Sequence, residues 1–349
     1  MSSAAARRAV KRARRRTPVR KPRAKREKAI GATAAAEAIA PLGPVVRVAR
    51  THFNWRSYGT ASGRYSSRIQ SCPRAEYLLD PQTKEKFIVL ETRMRELYVA
   101  PPGYKLVYFD LSQAELRFAA YLSGDETFIK ACESGDVHTA MAKLLFPADA
   151  ELIGRDPKGA GKPFRDVEKN CIFGCIYYAE AGTLFAFVRS KGLPVEMRDV
   201  VQLQEMVRDT CSGYFKYVEG NKRWVDKHGY LRCALSGRIS WLGWHAGFPD
   251  VANRPIQGGI ASLMNVRLPK IWHALPRGAA VVKQVHDAAI MEVPDRHVDQ
   301  VCELVDKTWE EPVIIPANGW GSSLKIEDGA RSFRMPIDRK VGQRWSDFG

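Results

Sequence analysis

Seven residues, Tyr104–Asp110 (YKLVYFD), constrain the fold more than any other stretch. A β-rich apolar run of this length, entered from Pro101-Pro102-Gly103 and closed by one acid, reads as a short buried strand ending in a carboxylate. Ala114–Leu122 (AELRFAAYL) follows with apolar residues at helical spacing. Further on, Val281–Val285 and Ala288–Val293 are two more β-type runs, separated only by His286-Asp287. That is the pattern of a tight hairpin. From about Asp125 to Lys227 the pattern is mainly helical, with breaks at Gly135, Pro147, Pro157–Pro163 and Gly192-Leu193-Pro194. Strand and helix, helical insert, then hairpin make an α+β domain with a helical subdomain set into it.

Charge narrows the partners. The net charge is +17, and Met1–Lys28 carries 13 Lys and Arg against one acid, Glu27. A basic tail on a mildly basic body suggests a polyanion, nucleic acid first, with a merely solvated tail as the alternative. The seven cysteines are scattered, with no secretory segment before them, which suits a reducing compartment and a cytoplasmic location. Cys171 and Cys175 lie four apart on a helical pattern, but no second pair at zinc spacing accompanies them, so buried free thiols are expected. No segment offers the ~18 apolar residues of a membrane span, and no membrane partner is expected. The Arg/Ala/Ser-rich start is like a transit peptide in composition but lacks an apolar helical face.

An aspartate at the end of a buried strand is held rigidly, and so is one at a hairpin tip. Asp110 and Asp287 occupy those two positions. Side by side they would repel one another unless a cation lay between them, and Mg²⁺ is the usual choice with phosphate substrates. Alone, each is equally a turn or strand-end residue. Arg165, Lys169, Phe173 and Tyr177 recur every four residues. Each step overshoots a full helical turn by about 40°, so the four share one broad face. Two cations followed by two aromatics could hold a triphosphate and stack a base. An amphipathic helix with a basic rim is the plainer reading.

Together these segments resemble family A (Pol I-like) DNA polymerases. Asp110-Leu111-Ser112-Gln113-Ala114-Glu115-Leu116-Arg117 is similar to that family's motif A, DxSQxELR. Arg165-x3-Lys169-x3-Phe173-Gly174-x2-Tyr177 resembles motif B, and Val285-His286-Asp287 resembles motif C. Weaker likenesses fall in family order: Thr60–Ser67 with Arg64, then Arg95 with Val99-Ala100-Pro101. Asp136-Val137-His138, Asn253-x3-Gln257-Gly258 and the closing Val341-Gly342-x2-Trp345 follow. The likeness runs from about His52 to the end, and the SQAELR wording is similar to phage-type members.

The resemblance implies a right-hand polymerase fold, an antiparallel-sheet palm with inserted α-helical fingers. Residues 1–45 would be a basic tail and linker, 46–124 and 236–349 the two parts of the palm, and 125–235 the fingers. It implies two Mg²⁺ ions held by Asp110, Asp287 and the Leu111 carbonyl, with DNA primer-template and dNTPs as partners. Arg165, Lys169 and His138 would bind the triphosphate, and Lys169 would also donate a proton to pyrophosphate. Glu115 would exclude ribonucleotides, Phe173 would pack on the sugar, and Tyr177 would mark the insertion site. Arg64, Arg95, Asn253, Gln257 and His286 would contact DNA.

Three departures qualify the likeness. Ala288 stands where motif C has Glu, and Tyr178 where motif B has Gly. Only about fifty residues precede the Thr60 segment, so the thumb is expected to be largely absent, with thumb and exonuclease supplied by a separate chain. Two rival readings stay open: a non-catalytic nucleic-acid-binding subunit, favoured by Ala288, and a single-subunit RNA polymerase, disfavoured by Glu115 and Phe173.

Overall fold

The computed structural model describes residues 60, 76–79, 86–90, 94–190, 196–316 and 331–348. Arg64, most of the Thr60–Ser67 segment, the basic tail and residues 317–330 lie outside them. An antiparallel pair, β1 (Glu76–Leu79) and β2 (Lys86–Leu90), comes first. Next are β3 (Tyr104–Leu111) and α1 (Ala114–Ser123), within a residue or two of the expected strand and helix.

The helical segment follows as α2 (Glu126–Glu133), α3 (Val137–Leu145), α4 (Ala150–Arg155), α5 (Lys162–Ile176), α6 (Ala181–Ser190), α7 (Met197–Thr210) and α8 (Ser212–His228). Asp125 and Asp136 open α2 and α3 by accepting the amide N–H of Phe128 and Thr139, relieving donors that a helix start leaves orphaned. A small hairpin, β4 (Tyr230–Arg232) and β5 (Ile239–Trp241), leads to the long α9 (Phe248–Ala274). The chain closes with β6 (Ala280–Val285), β7 (Ala288–Pro294), α10 (Val298–Glu310), β8 (Val313–Ile315), β9 (Arg331–Phe333) and β10 (Ile337–Gly342).

Four strands form one antiparallel sheet in the order β10-β3-β7-β6. The β3 run is apolar without alternation because both faces of the strand are covered. Val107 and Phe109 enter the main core, where Phe109 meets the Trp309 ring of α10 at 5.5 Å. Leu106 and Tyr108 enter a second cluster with Ile290, Trp345 and Phe348. Helix α9 packs on α1 so closely that a Cβ at Gly259 would lie 2.6 Å from the Phe118 ring. Only glycine allows that approach.

Candidate active site

Side chains alternate along a strand, so Asp110 shares the face of Leu106 and Tyr108, away from the main core. It stands opposite Ala288 of β7. The β6–β7 hairpin turns through His286-Asp287 alone, with Val285 paired to Ala288. His286 takes φ 55°, the left-handed region a tight hairpin needs at its first central position. A non-glycine residue there costs about 1–2 kcal/mol, and strain of this kind concentrates at functional sites. The Leu111 amide donates to the Asp287 carbonyl at 3.3 Å, tying the strand end to the hairpin tip. Asp110, His286, Asp287 and Arg95 thereby line one cavity of about 90 Å³, walled by Tyr108, Ala288 and Trp345.

Two carboxylates and the nearby Leu111 carbonyl are a hard-oxygen donor set, which fits Mg²⁺. Among the described residues no three His, Cys, Asp or Glu side chains gather as a metal cage. A two-carboxylate site suits a magnesium ion that completes its shell with water and substrate phosphates. Ala288 offers no side-chain oxygen.

Two basic side chains pack on Trp345, which walls the cavity. The Arg95 guanidinium lies 4.5 Å from the Trp345 ring centre, and the buried Lys283 ammonium lies 2.8 Å from that ring and 4.2 Å from Tyr98. Trp345 reaches this place because its amide bonds to the Tyr98 carbonyl and the Ala100 amide to that of Gln343.

On α5, Arg165 turns to Asp136: Nε and Nη2 donate to its two carboxylate oxygens at 3.2 Å each, and Nε reaches the Thr139 hydroxyl. Burial alone would raise the Asp136 carboxyl, but these donors outweigh it and hold it below the usual carboxylate range. His138 is 5% exposed, and its Nδ1 lies 2.8 Å from Oε2 of the fully buried Glu168. Burial pushes the Glu168 carboxyl up, against the pull of the His138 hydrogen bond and charge. The Phe173 ring lies 6.2 Å from that of His138, and Lys169 is exposed on the same helix. Arg165, His138 and Phe173 are thus assembled between α3 and α5. Cys171 and Cys175 are buried, each thiol pushed up to about 12, chiefly by burial.

The four-residue spacing holds only as far as Phe173, because α5 ends at Ile176 and Tyr177 is its cap. The Tyr178 amide donates to the Cys175 carbonyl and the Ala179 amide to that of Gly174. This paired closure requires a left-handed residue just past the cap. Tyr178 supplies it at φ 56°, which explains why glycine suits the position. Its ring stacks on Phe248 at 4.8 Å and meets Phe215 edge-on at 5.4 Å. Tyr177 instead donates its hydroxyl to Glu115 of α1 at 2.7 Å. That bond joins the end of α5 to the first turn after Asp110.

Asn253 and Gln257 lie one turn apart on α9, both half-buried, and so share a face. Glu168 and Lys283 escaped sequence reasoning. Their partners are 30 and 62 positions away, and no local spacing marks either of them.

Residues 33–347 match the family model for DNA polymerase family A. DNA polymerase I of Chloroflexus aurantiacus is 30% identical over 273 residues, covering 74% of this chain and 26% of that protein. The thermostable DNA polymerase I of Thermus filiformis is 29% identical over 299 residues, covering 77% and 31%. The chain spans about a quarter to a third of the length of these curated relatives. They are bacterial, so the phage-type expectation gains no support from them. In structure, the chain is similar to the polymerase domain of Pol1 from M. smegmatis in complex with primer-template and dNTP. The TM-score is 0.64 at 21% identity, over 85% of this chain and 49% of that one. That likeness bears on the α+β fold. The chain belongs to DNA polymerase family A.

Proposed function

We propose that this chain is the core of a template-directed DNA polymerase, adding deoxynucleotides to a primer 3′-hydroxyl. The observation that carries the reading is the meeting of Asp110 and Asp287 at one cavity, through the β3–β7 register and the Leu111–Asp287 bond. Asp110, Asp287 and the Leu111 carbonyl would hold two Mg²⁺ ions, which when bound supply activation of the hydroxyl and charge stabilisation at the phosphates. Arg165, Lys169 and His138 bind the triphosphate, and Lys169 also donates a proton to the leaving pyrophosphate. Phe173 packs on the sugar. Asn253, Gln257, His286, Arg95 and Arg64 contact primer and template, reading shape rather than sequence. On this reading the sheet with α1 and α9 is the palm, and α2–α8 are the fingers.

Glu115 excludes ribonucleotides. Its carboxylate is held by the Tyr177 hydroxyl, which keeps it in the space a 2′-hydroxyl would need, and the exclusion is a steric clash. The test is primer extension with dNTPs and with rNTPs. Wild type is expected to use dNTPs, and Glu115→Ala to raise rNTP incorporation at least about tenfold. Preference of the wild type for rNTPs would favour an RNA polymerase. Absence of extension with either would favour a non-catalytic nucleic-acid-binding subunit.

A further inference from the structure

Four of the large exposed apolar residues fall within ten positions: Ile239, Trp241, Trp244 and Phe248. Trp241 is 71% exposed and Trp244 61%. Scattered exposed apolar residues need no explanation, but clustered tryptophans mark a contact surface.

The hairpin pairing shows how the cluster is built. Tyr230 stands opposite Trp241 and Arg232 opposite Ile239, while Leu231 and Ser240 face inward and are buried. The outward face therefore presents the Tyr230 and Trp241 rings 5.4 Å apart, with the Arg232 guanidinium 5.7 Å from the Tyr230 ring centre. Trp244 is held beside them over Gly229, where a Cβ would lie 3.5 Å from its ring. From Lys227 to His245 there are three Lys and Arg, two His and no acid. Aromatic faces beside basic side chains suit a strand with both bases and phosphates to offer.

The surface also runs on from the active site. Phe248, four residues past Trp244, stacks on Tyr178, which directly follows the insertion-site Tyr177. We propose that the outward face of the β4–β5 hairpin, with Trp241 and Trp244, is a stacking platform for the unpaired template strand before it reaches the insertion site. The proposal rests on the polymerase reading above.

The test is binding of the full chain to primer-templates that are either blunt or carry an unpaired 5′ template arm of ~10 nucleotides, followed by fluorescence anisotropy. Wild type is expected to bind the armed substrate about tenfold more tightly than the blunt one. In Trp241→Ala/Trp244→Ala that gain falls below about twofold, with blunt-duplex affinity and single-nucleotide addition on a short arm unchanged. Trp272→Ala, which removes a tryptophan 63% exposed on α9, keeps the full gain. No gain in wild type overturns the proposal. An undiminished gain in the double variant also overturns it and leaves the tryptophans to a protein partner. Nucleotide addition without any effect of the arm refutes the platform alone. An arm-dependent gain without nucleotide addition refutes the polymerase reading and leaves the surface as a single-strand site.

Discussion

At the residue scale, Glu168 sets an acid within the proposed triphosphate site. It is fully buried, set on α5 between Arg165 and Lys169, and bonded to Nδ1 of His138. When ionised it fixes the imidazole proton on Nδ1 and aims Nε2 elsewhere, the arrangement by which a carboxylate orients a working histidine. Glu168→Ala is expected to raise KM for dNTP about tenfold with a smaller change in kcat. Glu168→Gln, which keeps an acceptor, is expected to restore most of the loss; steady-state kinetics check both. The sign of the stability effect follows from burial. The folded carboxyl titrates above its ordinary value of 4.5, so its stabilising contribution is present while it is protonated and is lost as pH rises through the folded value. Glu168→Gln should therefore melt like wild type near pH 4 and above it at pH 8, as thermal scans across that range would show. Asp136 has the opposite sign. Its lowered carboxyl gives stability above the ordinary 3.8 that disappears as pH falls through the folded value.

At the element scale, the end of α5 depends on a tyrosine in a glycine's conformation. Tyr178→Ala would lose the contacts with Phe248 and Phe215 and keep the strained backbone. Tyr178→Gly would lose the same rings and relieve the strain. The glycine variant is thus expected to be the more stable of the two by about 1 kcal/mol, an inversion of the usual ranking that denaturant unfolding would detect. Where α9 crosses α1, Gly259→Ala should cost about 1–3 kcal/mol through the clash with Phe118.

These elements were unequally legible in the sequence. β3, α1 and the β6–β7 hairpin could be read because apolar runs, helical spacing and a two-residue break are local signals. β10 could not, because IDRKVG is an edge strand whose side chains mostly face solvent and show no alternation of burial. The cap at Tyr177 was hidden by a four-residue spacing that continues past the end of the helix at Ile176.

At the scale of the whole molecule, the site exists only because distant segments converge. Arg95, Asp110, Asp287 and Trp345 span most of the described chain; the β3–β7 register draws the two aspartates together, and the backbone bonds of Trp345 to Tyr98 and of Ala100 to Gln343 add the other two to the cavity. The sequence named both aspartates, yet local pattern left each as an ordinary strand-end acid. Their meeting is a property of the sheet. Lys283 and Arg95 both pack on the Trp345 ring, and Arg95 shares the cavity with the two aspartates. The most direct test is Mg²⁺-dependent primer extension by the wild type beside Asp110→Asn and Asp287→Asn, with circular dichroism to check that each variant is folded. Extension by the wild type that falls about a thousandfold or more in both variants is the predicted result, the worth of several kcal/mol of charge stabilisation. Extension that survives either substitution, or none from a folded wild type, would contradict it.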